Sequence, residues 1–540
     1  MTNPSKRPKL KPKVNPEQIQ AAEQIIGLKF TDSERELMLE ELSERLEQYK
    51  KLREISLGNN VPPALHFNPN LDGVKPKNQS RSLRLSNVPD LKRPKDKDLE
   101  ELAFYPVTHL AKLIKSRKVS SMELTEMYLD RLKRFDPKLK CVVTLTEDLA
   151  LKQAKRADRE IAKGKYRGTL HGIPWGAKDL LAVKGYPTTW GAKPYKDQIF
   201  NYDAAVVERL EEAGAVLLGK LTTGSLAYGD VWFGGTTKSP WNLKEGSSGS
   251  SAGPASAAAG GLVGFSIGSE TLGSIVSPSH RCGTTGLRPT FGRVSRHGVM
   301  ALSWSMDKIG PICRAVEDCA VVFNSIYGPD PRDMATSDHP FSWDVKQRIK
   351  SLKIGYVKSA FEKESDSLIF DKQTLKVLKS LGVKLVPIEL PDLPWAAMRL
   401  ILVAEAAAAF DDLTRSNKDD LLARQAKDSW PNLFRMARLI PAVEYIQANR
   451  VRTLLMRQMM DIFKTVDVYV CPSFRANNLT LTNLTGHPCV VIPNGFSRKG
   501  TPASSITFMG QLYHEGDVLT VAKALQDATD FHKRQPKMNF

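Results

Sequence analysis

Apolar residues recur at helical spacing near the start of the chain. Ile19, Ala22, Ile25 and Ile26 form one stripe and Leu39, Leu42, Leu46 and Tyr49 a second, which predicts a helical hairpin or arm between residues 16 and 55. Thr31 and Glu34 stand at capping-box spacing, so the second helix should begin there. Residues 56–98 have no period and repeat Pro, Asn, Lys and Arg; they read as an extended basic connector, wrapped on a surface or loose. From about Glu100 helical stripes alternate with short apolar runs. Helices are predicted over 107–116, 121–135 (ending at Asp136-Pro137), 149–163 and 203–213, and strands over 141–146, 215–218, 354–357, 384–388, 466–471 and 489–492. Near-continuous apolar strands set between helices predict an α/β fold with a mixed, largely parallel central sheet covered by helices. The expected division is an N-terminal extension over 1–99 and one large unit over 100–540.

One stretch breaks this alternation. From Gly246 to Ser269 the chain carries no charge and is dense in Gly, Ala and Ser. Such composition commonly marks a linker, but a linker should lack apolar content. Here Leu262, Val263, Phe265 and Ile267, then Ile275 and Val276, predict a buried helix of small residues followed by a strand. Pro254 and the many Ser and Gly interrupt the run too often for a membrane span. With so few Cβ atoms the backbone can approach a bound molecule closely, so this stretch is the candidate active-site core.

Charge changes the picture little. The net charge is +19, and Lys6, Arg7, Lys9, Lys11 and Lys13 sit in a Pro-containing start without an acid, so the first thirteen residues are expected to be disordered. Elsewhere bases are spread among acids, with neither zinc-finger spacing nor aromatic-basic interleaving, and no specific nucleic-acid binding is expected. Six cysteines without a CxxC pair argue against a disulfide framework and a structural metal. A reducing compartment, the cytoplasm, is expected; no apolar secretory segment follows the basic start, and export with a signal already removed is left open.

Two familiar spacings are set aside. Gly214 to Lys220 has P-loop spacing, but Leu221 stands where Ser or Thr is required and the residues between are those of an apolar strand. Gly249-Ser250-Ser251-Ala252-Gly253 matches a nucleophile elbow centred on Ser251, yet residues 241–248 read as a loop where the elbow needs a strand.

Three blocks taken together carry more: Gly172-Ile-Pro-Trp-Gly-Ala-Lys178-Asp179, Gly249-Ser250-Ser251-Ala252-Gly253 and Gly268-Ser-Glu-Thr-Leu-Gly-Ser274-Ile275. At these residues the sequence resembles the amidase signature family of serine hydrolases. The resemblance extends through residues 282–298, 307–311 and 482–495 and covers about residues 100–535. It implies the amidase signature fold, with Lys178 as base, Ser250 as the bridging serine after a cis Gly249–Ser250 peptide, Ser274 as nucleophile and Ser251 in support. The backbone N–H groups of Thr271, Leu272, Gly273 and Ser274 are the implied oxyanion hole, and no cofactor is implied. The chemistry is coherent by itself, because a serine hydroxyl is a poor nucleophile until a base takes its proton. A neutral Lys178 requires its pKa to fall from about 10.4 toward about 7, a bias of roughly 4 to 5 kcal/mol. Burial supplies such a shift, and the apolar neighbours Ile173, Pro174, Trp175, Ala177, Leu180 and Leu181 fit burial. Asp179 must then point elsewhere. The chain departs from the family pattern at Leu272, where Gly is usual, and at Val276, where many members have Arg.

The resemblance implies hydrolysis of a small-molecule amide through a Ser acyl-enzyme, with ester or carbamate side activity through the same tetrahedral intermediate. One branch of the family is the A subunit of the glutamyl-tRNA amidotransferase, which needs an Arg and polar groups for glutamine near a segment like Ala404 to Asp411. Arg415 is out of register with that pattern and the alanines there look apolar. A stand-alone amide hydrolase is therefore expected first, the glutaminase component of an amidotransferase second, and an inactive scaffold on the same fold third. Trp175, Trp190, Trp232, Trp304, Trp395 and Met306 are candidates for an apolar acyl pocket or for the core. Formation of a homodimer is left open, as is dependence on a partner chain.

Overall fold

The short apolar runs assemble, in the computed structural model, into one eleven-stranded sheet. Residues 13–55, 57–71, 81–95 and 99–539 are described. The strands are β1 (Val142–Leu145), β2 (Pro174–Lys178), β3 (Val216–Leu221), β4 (Phe265–Glu270), β5 (Thr285–Arg288), β6 (Lys308–Cys313), β7 (Ile354–Val357), β8 (Leu385–Ile388), β9 (Val468–Pro472), β10 (Cys489–Phe496) and β11 (Pro502–Gly510). Their order across the sheet is β8-β7-β9-β11-β10-β5-β6-β4-β2-β3-β1. The fold is the expected mixed α/β arrangement, but the sheet is not largely parallel. Among the described residues four neighbouring pairs are parallel (β8–β7, β7–β9, β4–β2, β2–β3) and six are antiparallel. The physical reason is local: β10 and β11 are joined by a short turn closed by Ser497 N–H on Thr501 O (2.8 Å), and such a connection allows only an antiparallel pair.

Four strands lie outside the periodicity-based prediction, β2, β5, β6 and β11, because they bury polar residues. Lys178, Arg288, Lys308 and Ser504 are all inside. A lookout for uninterrupted apolar runs misses strands whose polar groups are paired internally.

The helices follow the apolar stripes closely. They are α1 (Pro16–Ile26), α2 (Asp32–Arg53), α3 (Val107–Lys115), α4 (Ser121–Leu139), α5 (Glu147–Ala162), α6 (Ala205–Glu212), α7 (Ala252–Ala259) and α8 (Val276–Cys282) in the first half of the chain. Helix α4 runs past Asp136-Pro137, a turn beyond the expected stop. Pro137 occupies the last turn, and Lys140, left-handed at φ 51°, closes the helix by donating to Asp136 O at 2.7 Å. The glycine and alanine stretch becomes α7, buried along its whole length against β2, β4 and β6. A Cβ on Gly253 would meet Thr222 N at 2.3 Å and Cys141 O at 2.5 Å, so the close approach of α7 to the sheet requires glycine there. The residues read as a loop before Gly249 include a short strand, Asn242–Gly246, paired with Lys238–Ser239 in a separate two-stranded sheet.

Helices α1 and α2 form the expected hairpin, and Thr31 caps α2 with its hydroxyl on Glu34 N–H (3.3 Å). Their apolar stripes are only partly covered, with Ile19 buried and Leu39 and Leu42 half-buried. Ile25 and Tyr49 are exposed, whereas Arg35 grips Glu23 through two buried bonds of 2.7 and 2.9 Å. The predicted disorder of residues 1–12 falls outside the described residues; Lys13 is ordered, its N–H on Ser43 Oγ at 2.8 Å. The connector wraps the surface where described, with Ser82–Arg84 pairing in parallel with Ser342–Asp344. Among the described residues no cluster of three or more His, Cys, Asp or Glu could hold a metal, and no helix is long and apolar enough to cross a membrane.

Candidate active site

Strand β2 is buried on both faces along its whole length and ends at Lys178. Its side chain is fully buried, and burial lowers its pKa from 10.5 to about 7, with Asp307 and Glu270 acting more weakly in the other direction. The amine meets three serine hydroxyls: Ser250 Oγ at 2.7 Å, Ser269 Oγ at 2.9 Å and Ser251 Oγ at 3.1 Å. Asp179 does point elsewhere. It takes Lys220 Nζ at 2.7 Å and Thr189 N–H at 2.9 Å.

The three hydroxyls are not equivalent. Ser251 Oγ donates to Ser269 O and accepts Ser269 N–H, both at 3.1 Å, so it bolts the start of α7 to β4 and can only accept from Lys178. A neutral amine has two donors and one lone pair, so with three hydroxyl neighbours one of them must donate into the nitrogen. Ser250, at the shortest distance, is free to do so. The Gly249–Ser250 peptide is cis.

Ser274 lies half-buried across the turn that links β4 to α8, and its carbonyl accepts Ser251 N–H at 3.1 Å. The turn is shaped by Glu270, whose Oε2 takes the N–H groups of Ile275 (2.8 Å) and Val276 (3.0 Å). Burial alone would raise the pKa of Glu270, but the Arg288 guanidinium at 2.7 Å and Asn483 hold it at about 2. Among the described residues no acceptor meets the N–H groups of Leu272, Gly273 and Ser274. Gly273 is left-handed at φ 87°, whereas Leu272 is not, so leucine accepts this backbone without strain. Val276 is buried.

A cavity of about 350 Å³ reaches this cluster only through Ser269 and Thr271; Lys178, Ser250 and Ser274 are not among the residues that line it. Trp304 lines it, whereas Trp175 stacks on Phe265 at 5.9 Å in the core and Trp190, Trp232 and Met306 are buried. Trp395 packs half-buried on a second core cluster. Reading the sequence missed Ser269, the third hydroxyl on Lys178, and Glu270, Arg288 and Asn483, which hold the turn. All four lie inside the blocks that carried the family resemblance, so the signal was present but had no role attached.

The Amidase family model matches residues 123–482. The chain belongs to the amidase signature family. This amidase-family enzyme is 32% identical over 482 residues to the A subunit of the glutamyl-tRNA(Gln) amidotransferase of Thermoanaerobacter pseudethanolicus, covering 80% of the present chain and 98% of that protein. It is 32% identical over 486 residues to the corresponding protein of Carboxydothermus hydrogenoformans, covering 81% and 100%. Among solved structures, the native peptide amidase of Stenotrophomonas maltophilia superimposes with a TM-score of 0.71 at 29% identity, covering 81% of this amidase-family chain and 99% of that one.

Proposed function

We propose that the chain hydrolyses a carboxamide through an acyl-enzyme on Ser274, with Ser250 and Lys178 carrying the proton. Ser274 Oγ attacks the carbonyl carbon while its proton passes to Ser250 Oγ and the Ser250 proton passes to Lys178 Nζ. The carbonyl oxygen becomes an anion, and the free N–H groups of Leu272, Gly273 and Ser274 are the donors available to it. Collapse breaks the C–N bond, and the proton returns through Ser250 to the leaving nitrogen. Water then attacks the acyl ester by the same relay, and a carboxylic acid leaves as its carboxylate. The observation that carries this reading is a lysine buried among serine hydroxyls with no carboxylate in contact. Ser251 is engaged at both ends of its hydroxyl, which supports a positioning role for it and speaks against the elbow reading. Lys178, Ser250 and Ser274 are all present, which speaks against an inactive scaffold, though among the described residues no hydrogen bond joins the Ser274 hydroxyl to Ser250.

Two roles share this chemistry. The curated relatives favour the glutaminase component of a tRNA-dependent amidotransferase, with glutamine as the amide. The segment around Glu405 favours a free-standing hydrolase of neutral amides: Glu405 is occupied by Ser303 (2.6 Å) and Tyr445 (2.9 Å), and Arg415 is held by Asp411 (2.9 Å) and Asp412. The deciding experiment is fluorophosphonate labelling with peptide mapping, beside ammonia release from aliphatic amides, aryl amides and glutamine. Labelling at Ser274 is expected; labelling at Ser251 would overturn the relay. Turnover of glutamine alone would establish the amidotransferase role, and turnover of simple amides the free-standing one.

A further inference from the structure

The cavity beside Ser269 is not closed by the catalytic body alone. Its outer wall is chain from the N-terminal extension, including Asn59, Pro63, Leu65 and His66, and its inner wall includes Leu180 and Met300. We propose that residues 57–69 are a fixed strap that completes the substrate site, and that Leu65 sets the size of the apolar group accepted next to the scissile amide; this rests on the amide-hydrolase reading above.

The strap is anchored at both ends. At one end the Asn59 side-chain amide imitates a strand partner, accepting Ala301 N–H at 2.7 Å and donating to Ala301 O at 2.9 Å. At the other end Phe67 packs edge-on against Phe291, with ring centroids 5.1 Å apart. The Arg452 guanidinium lies 3.6 Å above the Phe67 ring. Between the anchors stand Pro62 and Pro63, which restrict their own φ and the backbone before them, so little freedom is left to lose when a ligand is held. Leu65 is 76% exposed at the cavity rim, an apolar side chain held by a rigid segment with water on most of its surface.

The anchors also reach the reacting centre. Arg452 donates to Ser305 Oγ (2.9 Å) and Ser305 O (2.8 Å). In the same loop the N–H groups of Leu302 (2.8 Å) and Ser303 (2.9 Å) go to Asp307, which also accepts the Thr271 hydroxyl at 2.6 Å. Thr271 opens the turn that carries Ser274. The strap is thus tied through one hydrogen-bonded loop to the turn where the charge develops, and Ser269 links the cavity wall to Lys178. A volume of about 350 Å³ lies at the small end of the range for small-molecule sites, which fits an aryl or branched acyl group of modest size.

The test compares the native chain with Leu65→Trp and Leu65→Ala on propionamide and 4-phenylbutyramide. Leu65→Trp should lower kcat/KM for the aryl amide by about tenfold or more and leave propionamide within about twofold, as a pocket-filling change should. Leu65→Ala should move the ratio the other way or leave it near the native value. Parallel changes on both amides, or none for Leu65→Trp, would overturn the strap's role while Ser274 labelling still upheld the hydrolase. If Ser274 is not labelled, the hydrolase reading fails by itself, and the strap is judged by thermal stabilisation in a Ser274→Ala background. There, stabilisation by 4-phenylbutyramide that Leu65→Trp removes supports it, and equal stabilisation in both chains, or none in either, overturns it.

Discussion

Lys178 and Lys220 are both fully buried, on adjacent strands of one sheet, yet their surroundings make them different chemical groups. Lys220 meets a carboxylate: Asp179 at 2.7 Å, with Thr188 Oγ1 at 2.8 Å and Pro187 O at 3.3 Å taking its other protons. Three acceptors match the three donors of an ammonium ion. Lys178 meets only serine hydroxyls, which can donate as well as accept. Burial lowers the pKa of both, but at Lys220 the touching carboxylate opposes it, whereas at Lys178 the carboxylates act from a distance and the value reaches about 7. The contrast teaches that burial makes a lysine available for titration and its contacts decide whether it stays charged.

The contrast should be widest in turnover. Ser274→Ala sets the floor, with kcat expected to fall by about 10^6-fold. Lys178→Met should lower kcat/KM by about 10^3-fold or more, whereas the paired replacement Asp179→Leu with Lys220→Met should retain activity within about tenfold, since a buried ion pair is often replaceable by packed apolar residues. Steady-state ammonia release measures all three. A more specific break is Asp179→Asn alone, which strands the Lys220 charge and should cost about 3 to 5 kcal/mol of stability. Denaturant unfolding reads this, and stability regained when Lys220→Met is added would identify the stranded charge as the cause.

Titration sharpens the comparison further. The relay needs the neutral amine, so kcat/KM should fall about tenfold per pH unit below about 7, and this slope should vanish in Lys178→Met. Stability moves in a linked way. Between about pH 7 and pH 10.5 the unfolded chain keeps a proton on Lys178 that the folded chain has lost, so stability rises with pH across that window and the group is most destabilising below it. Lys178→Met should therefore be more stable than the native chain near pH 7, by a margin that shrinks as pH approaches 10.5. Leu272→Gly is the smallest change expected. Because Leu272 does not adopt a positive φ, kcat/KM should stay within about threefold, and a larger loss would mean that the leucine side chain contacts the substrate.

Much of the fold was legible where one residue type repeats at one period. Helices α3, α5 and α6 came directly from their apolar stripes, and Thr31-Glu34 located the start of α2. Sheet direction was not legible, because apolar runs say that a strand is buried but not which neighbour it meets, and the 497–501 turn that makes β10 and β11 antiparallel has no period. Of the candidate site residues, Lys178 and the two serines within hydrogen-bond distance of it, Ser250 and Ser251, were singled out through short motifs, as was the 271–274 turn. Ser269 was passed over because a serine in a strand is ordinary, and Glu270 with Arg288 because a charge pair 18 residues apart in sequence has no visible partner until β4 and β5 take their places beside β6.

By itself the sequence determined which groups are present and which stretches can be buried: a lysine among apolar neighbours, serines flanked by glycines, and small residues that let a helix lie against a sheet. These are local matters of size, period and polarity. Only the tertiary structure decided that Asp179 turns toward Lys220 and away from Lys178, that three hydroxyls converge on one amine, and that residues 57–69 return to wall a cavity whose other lining residues lie more than 100 positions further along the chain. Those outcomes depend on distances between segments far apart in sequence. Such distances are set by sheet order and helix packing, and a buried lysine is charged or neutral according to what they bring within about 3 Å of it.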